Sequence, residues 1–244
     1  MEHVRKGLFE TNSSSTHAIV ITKNDNYEIT YEDLYTASWE NYDFSFGRDT
    51  YKLLDNWDYK LAYVYIILLE ISNDPKIVFP EVNLQKFKDR VNSLYNQIND
   101  NSITTSVIPD HIFQVLEFVH KKDLGIIDRK TIPNFDFDTS LFDDILRHTF
   151  CAYVDHDEYF MIHEGDTRRH SKPGALFLEK LQTDDDYLKK FLFSPNSYIT
   201  IGGDEERGYN IKTLGFEYDY EKESDWEDRV NEYKKTHEIY FKGN

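Results

Sequence analysis

Asp58-Tyr59-Lys60-Leu61-Ala62-Tyr63-Val64-Tyr65-Ile66-Ile67-Leu68-Leu69-Glu70-Ile71-Ser72 is the most apolar stretch of this 244-residue chain, and its reading decides the fold. Leu61, Ala62, Val64, Tyr65, Ile66, Ile67, Leu68, Leu69 and Ile71 cover most of a helix circumference. A helix apolar on nearly every side has to be surrounded by other elements, so the pattern predicts a central buried helix. Two short strands are the alternative, because periodicity does not separate the two in an unbroken apolar run. The run is far short of the roughly 20 residues that span a bilayer, so no membrane segment is expected.

Beyond it the helical signal continues. Leu84, Phe87, Val91, Leu94 and Ile98 recur at three- and four-residue steps within Asn83 to Asn99, with Lys86, Asp89 and Asn92 facing water. Pro109 can open a further helix carrying Ile112, Phe113, Val115, Leu116 and Val119. Asp138 or Thr139 can cap another through Leu141, Phe142, Ile145 and Leu146. These elements place a helical subregion at about residues 58–149.

The flanks read differently. His17 to Thr22 is a β-branched run that predicts a buried strand, and Tyr27 to Tyr35 reads as a second strand or a short helix. Phe44 and Phe46 fall on one side of an extended segment ending at Gly47. Cys151 to Val154 and Tyr159 to Ile162 predict a hairpin with the tip Asp155-His156-Asp157-Glu158. Gly174 to Leu181 and Asp184 to Phe193 read as a helical pair, and Tyr198 to Ile201 as a strand. Ser224 and Glu227 form a capping box for a last helix with Trp226, Val230 and Tyr233 as its stripe, before an edge strand over Glu238 to Phe241. With no internal repeat and no linker, the expectation is one mixed α+β domain over residues 1–244, with short strands and hairpins and the helical subregion around its buried helix.

Composition narrows the function classes. Aromatic residues make up 16% of the chain and argue against disorder, since each ring brings a large apolar area to bury. The single Cys151 excludes an intramolecular disulfide framework and a multi-cysteine zinc site, and reads as a small hydrophobe. The absence of an apolar signal core near Met1 leads to the expectation of a cytoplasmic protein, in a host cell if the setting is viral. A formal charge of −17 repels phosphate backbones, so direct binding of duplex nucleic acid is not expected. Such a field suits a partner with a basic surface, including a nucleic-acid-binding protein; acidity that serves only solubility is the plainer alternative.

Three constellations can carry chemistry. The first is Thr11-Asn12-Ser13-Ser14-Ser15-Thr16-His17, where hydroxyls, an amide and an imidazole crowd the entry to a buried strand. Short hydroxyl side chains with nearby backbone N–H groups can line an anion pocket, with Thr11, Asn12, Ser13 and Thr16 as ligand-binding candidates. Ser14 or Ser15 can act as nucleophile and His17 as general base or acid. Ser15 is the better partner, because residues two apart in a strand share a face. The alternative is a Ser/Thr-rich loop that caps the strand. Glycines at phosphate-loop spacing are missing, so a Walker-type nucleotide site is not supported.

The second constellation is Asp155 with His156, a candidate acid/base pair near His163, Glu164, Asp166 and His170. These carboxylates and imidazoles could instead bind a divalent metal, but the spacing matches no recognised metal motif, so no metal site is assigned, and a solvated hairpin tip is the plainer alternative. The third is Asn196-Ser197 and Gly202-Gly203-Asp204-Glu205, at opposite ends of a short strand. Ser197, Gly203 and Asp204 are its ligand-binding candidates, against the alternative of a plain turn. No cofactor is identified by these residues.

The run from Arg5 through Phe9-Glu10-Thr11-Asn12-Ser13-Ser14-Ser15-Thr16-His17 resembles the opening of a family of bacteriophage and prophage proteins. The resemblance continues at Phe44 to Gly47, at the Tyr-rich helix Lys60 to Tyr65, at Tyr153 to His156, and from Phe193 through Asn196-Ser197 to Gly203-Asp204. The chain departs from the pattern at Arg48, Asp157 and Glu205. The resemblance brings no reaction with it. It implies a phage setting and marks the Ser-rich loop, the Asp-His turn and the Gly-Asp turn as features of one pocket.

Two functions follow as expectations. One is a phage accessory protein that binds and inhibits a host factor, such as an antiviral-defence component of the CRISPR kind, through an acidic surface. The other is a hydrolase or transferase acting on a nucleotide-like or other phosphorylated small molecule, using the Ser-rich loop and His17.

Overall fold

The computed structural model describes residues 16–23, 27–34, 52–99, 108–123, 162–163, 172–202 and 231–242. In chain order these form β1 (Thr16–Thr22), a 3₁₀ turn (Tyr31–Leu34), β2 (Lys52–Leu54), α1 (Trp57–Asn73), β3 (Ile77–Phe79) and α2 (Leu84–Ile98). α3 (Pro109–Asp123), β4 (Ile162–His163), α4 (Pro173–Thr183), α5 (Asp185–Phe193), β5 (Tyr198–Gly202) and β6 (His237–Lys242) follow. The fold is α+β, and its centre is the helix that the apolar run predicts.

Every residue of α1 from Trp57 to Leu69 is buried. A helix can be apolar all round only when neighbours cover each side, and α2, α3 and α5 all pack against it. Trp57 lies between Tyr95 of α2 and Phe193 of α5, with ring centroids 5.2 and 5.9 Å away. Its indole Nε1 donates to the Leu34 carbonyl at 3.1 Å, tying the 3₁₀ turn to the core. About two turns further along, Tyr65 packs on Phe113 of α3 at 4.6 Å.

The surrounding helices are one-sided, as their spacing dictates. α2 buries Phe87, Val91, Leu94, Tyr95 and Ile98, and its cap Asn83 accepts from the Lys86 amide at 2.9 Å. Asp184 closes α4 and caps α5, its side chain accepting from the Tyr187 amide at 3.0 Å. Pro173 starts α4, where a missing N–H is harmless.

The larger sheet has the strand order β2-β5-β1-β6, antiparallel throughout. Ala18, Ile19, Val20 and Ile21 of β1 are all buried, as expected of an interior strand covered on both faces. Ile19, Ile21 and Ile199 belong to the same apolar cluster as α1 to α5, so sheet and helices share one core. β6 is an edge strand, as expected from Glu238 to Phe241.

Of the two readings for Tyr27 to Tyr35, a strand or a short helix, the second holds, as a 3₁₀ helix at Tyr31–Leu34. Other elements differ from the expectations. β2 and β3 are three residues each and carry no readable alternation; they exist because β5 and β4 offer them pairing edges. Ile162, the end of an expected hairpin strand, lies in β4 opposite β3. The Phe44–Gly47 segment, the helix after Asp138 or Thr139, the tip Asp155 to Glu158 and the Ser224/Glu227 box lie outside the described residues. Among the described residues no helix is long and apolar enough to cross a membrane.

Candidate functional site

The antiparallel pairing of β1 and β5 sets the geometry around the Ser-rich loop. Thr16 pairs with Gly202 and His17 with Ile201. Directly opposed residues in such a ladder sit roughly 4.5–5.5 Å apart between Cα atoms. The chain therefore enters β1 from Ser15 and leaves β5 toward Gly203 at the same end of the sheet. Thr16 and His17 are placed by their backbone register. Thr11, Asn12, Ser13, Ser14, Ser15, Asp155, His156, Gly203 and Asp204 lie outside the described residues.

Ser197 is at the other end. Four residues separate it from Ile201, roughly 13 Å of extended chain. It is fully buried, its Oγ accepts from the Thr22 amide at 3.4 Å, and its carbonyl accepts from Lys60. Its polar atoms are thus bonded to the framework, and it does not share a sheet end with His17.

The group that meets Ser197 is Lys60, in the first turn of α1. Its ammonium is sealed from solvent and donates to the carbonyls of Ser194 at 2.9 Å and Ser197 at 2.7 Å. Ser194 is the C-cap of α5, where the helix dipole turns its negative end toward a cation. Burial pulls the Lys60 amine down to about 7, against the pull of Asp55, Asp58 and Asp33 toward the charged form. Asp58, also fully buried, is pushed up to about 7 by its burial. Its Oδ1 accepts from the Tyr59 amide at 2.9 Å, while Oδ2 has no partner among the described residues. From the residues, Lys60 looked like one position in an apolar helix; only the resemblance singled out its segment.

A second polar cluster joins β6 to the α4–α5 pair. Tyr187 Oη donates to Glu238 Oε2 at 2.8 Å and lies 3.0 Å from Tyr240 Oη, which also donates to Glu238 at 2.9 Å. Lys180 Nζ donates to Glu238 Oε1 at 2.9 Å and sits 5.0 Å from the centroid of the Tyr187 ring. Burial alone would raise Glu238, but the bonds from Lys180, Tyr187 and Tyr240 hold it below the usual carboxylate range. Burial and the bond to Tyr240 raise Tyr187 well above an ordinary phenol. The arrangement anchors an edge strand, and it was not legible beforehand because its members come from three separate elements.

A third cluster lies between the helices. Glu117 of α3 accepts from Tyr65 Oη at 2.7 Å and from Lys88 Nζ at 2.9 Å, and His120 lies 3.2 Å from Glu70. Among the described residues no group of three or more histidines, cysteines and carboxylates could hold a metal ion.

Charge is unevenly divided along the chain. The whole chain carries a formal charge of −17, from 45 acidic against 28 basic residues. The excess is concentrated in residues 131–170, with nine acidic against three basic, and in 203–230, with ten against four. Those two segments contain Asp155-His156 and Gly203-Asp204. No protein-family model, no curated protein and no solved structure matches this chain.

Proposed function

We propose that the chain is a bacteriophage accessory protein that binds and inhibits a host factor, an antiviral-defence component with a basic, nucleic-acid-binding surface. The observation that carries this reading is the distribution of charge along the sequence, with the acidic excess gathered in residues 131–170 and 203–230. Acidity that served only solubility would have no reason to gather in two segments. A concentrated negative field speeds encounter with a basic groove and excludes phosphate competitors. The test is capture from host lysate by the full chain, paired with plaquing on cells that carry an active CRISPR system. A basic partner should be held at about 0.1 M salt and released near 1 M, where screening shortens to about 3 Å. Neutralising Glu217, Asp219, Glu221, Glu223 and Asp225 to their amides should abolish both capture and protection of the phage. Protection that survives those substitutions and high salt would remove this reading.

A second reading is favoured by the β1–β5 register, which brings the chain from Ser15 and the chain to Gly203 to one end of the sheet. In it the protein is a hydrolase or transferase on a nucleotide or phosphorylated small molecule. Ser14 or Ser15 is the nucleophile, His17 or His156 the acid/base group, and Asp155 or Asp204 orients it, with Thr11, Asn12, Ser13 and Thr16 around the phosphate. Turnover in a screen of nucleotides, lost in His17→Ala, would favour it. A wild-type chain inert toward all of them would count against it.

A further inference from the structure

Three pairings line up across the larger sheet. Lys52 of β2 pairs with Ile201 of β5, Ile201 with His17 of β1, and His17 with Lys242 of β6. One rung therefore crosses all four strands as Lys52–Ile201–His17–Lys242, and directly opposed residues of an antiparallel ladder belong to one face. Two residues further in, the same face holds the rung Leu54–Ile199–Ile19–Tyr240. Leu54, Ile199 and Ile19 are buried in the shared core, and Tyr240 packs against it. The lysines and the histidine thus stand on the core-bearing face, roughly 7 Å beyond that apolar rung. This is the sheet end that the chain enters from Ser15 and leaves toward Gly203. The next rung outward pairs Thr16 with Gly202, which has no side chain to obstruct close approach.

Building on the hydrolase or transferase reading of this sheet end, we propose that the rung is its anion seat. Lys52 and Lys242 hold the linked phosphates of a substrate such as a nucleoside diphosphate, on either side of His17. Edge strands also carry lysines to discourage pairing with other chains, but that purpose is served at any rung and on either face. Here both stand on the rung of His17. Among the paired residues of this sheet the one carboxylate is Glu238, four residues from Lys242 and already bonded by Lys180, Tyr187 and Tyr240. Strand spacing puts the two lysines about 14 Å apart at Cα, with His17 about 5 Å from Lys242 and about 10 Å from Lys52. A lysine is a compact point charge on a flexible stem, and two of them at that separation suit linked phosphates better than a single one. Exposed charges more than about 8 Å away are largely screened at physiological salt, so the cations of the rung count for more locally than the total of −17.

The experiment is a calorimetric titration of the full chain with inorganic pyrophosphate in phosphate-free buffer, with the melting temperature of every variant measured beside it. The unmodified chain should bind at about 1 mM or tighter, the worth of two charge-assisted bonds. Lys52→Met and Lys242→Met should each weaken binding about tenfold or more. Lys52→Arg and Lys242→Arg keep the charge and should keep the binding, which decides the matter if a methionine variant does not fold. Lys86→Met, at an exposed position of α2, should change nothing. In any nucleotide turnover the two methionine variants should raise KM and leave kcat within about twofold. Pyrophosphate bound through both lysines without turnover of any nucleotide would leave the anion seat standing and remove the catalytic reading. Turnover whose KM ignores both substitutions would do the reverse. An unmodified chain that does not bind pyrophosphate would overturn the seat. So would methionine variants that melt lower or aggregate with binding unchanged, because the lysines then serve the framework.

Discussion

The two ends of the β1–β5 strand pair differ in the residues that the chain brings to them. At one end Thr22 and Ser197 meet above Lys60, and the polar groups there are bonded to one another and to the end of α5. At the other, Thr16 pairs with Gly202, and the chain brings in Ser13-Ser14-Ser15 and carries away Gly203-Asp204. Both ends are rich in hydroxyls on paper. At the Lys60 end the framework uses the Ser197 hydroxyl. A hydroxyl that satisfies a buried backbone amide is part of the fold; the hydroxyls gathered before the strand entry, beside an imidazole in sequence, are those of the proposed ligand site.

The widest separation between the two ends should come from His17→Ala. Under the catalytic reading it should cut turnover by about 10²–10⁴, the usual contribution of a general acid or base, with an unchanged melting temperature. A parallel loss of stability would place His17 in the framework instead. Lys60→Ala should behave in the opposite way. It takes the Lys60 donor from two buried carbonyls, of which Ser194 keeps the Ser197 amide, and opens a cavity, and should cost about 2–5 kcal/mol in urea unfolding. A change well under 1 kcal/mol would mean that water reaches this joint.

The dependence of stability on pH gives a third test. Asp58 is raised in the folded state, so the stability it contributes is present below 3.8 and lost as pH rises through about 7. Lys60 is lowered, so its contribution is present above 10.5 and lost as pH falls through about 7. The pair therefore depresses stability around neutrality, with limbs of at most about 1.4 kcal/mol per pH unit. Asp58→Asn should flatten the acidic limb, which denaturant midpoints across pH can read. An acidic limb identical in the variant would show that Asp58 does not titrate in this way. The smallest expected effect is that of Ser197→Ala, about 1 kcal/mol from the lost acceptor for the Thr22 amide, with function intact. Loss of function at full stability would erase the distinction between the two ends.

Much of the architecture was legible in local pattern. The run from Leu61 to Ile71 announced α1, the spacing of Leu84 to Ile98 announced α2, and the β-branched run after His17 announced β1, because each pattern records how many faces are buried. β2 and β3 were not legible, since three residues show no period. The candidate site was legible as a polar run, Thr11 to His17, and as its possible companions in sequence. The shared sheet end of Thr16 and Gly202, and the remoteness of Ser197, are matters of register.

By itself the sequence determined an α+β chain around a buried helix, and an acidic excess set apart in two segments, because burial and charge are properties of residue type and spacing. Only the tertiary structure decided that Lys60, inside that helix, would hold carbonyls more than 130 residues away. It also decided that Ser197 would belong to this joint and not to the Ser-rich end. Contacts between distant elements are chosen by packing and strand register, and neither leaves a local signature in the chain.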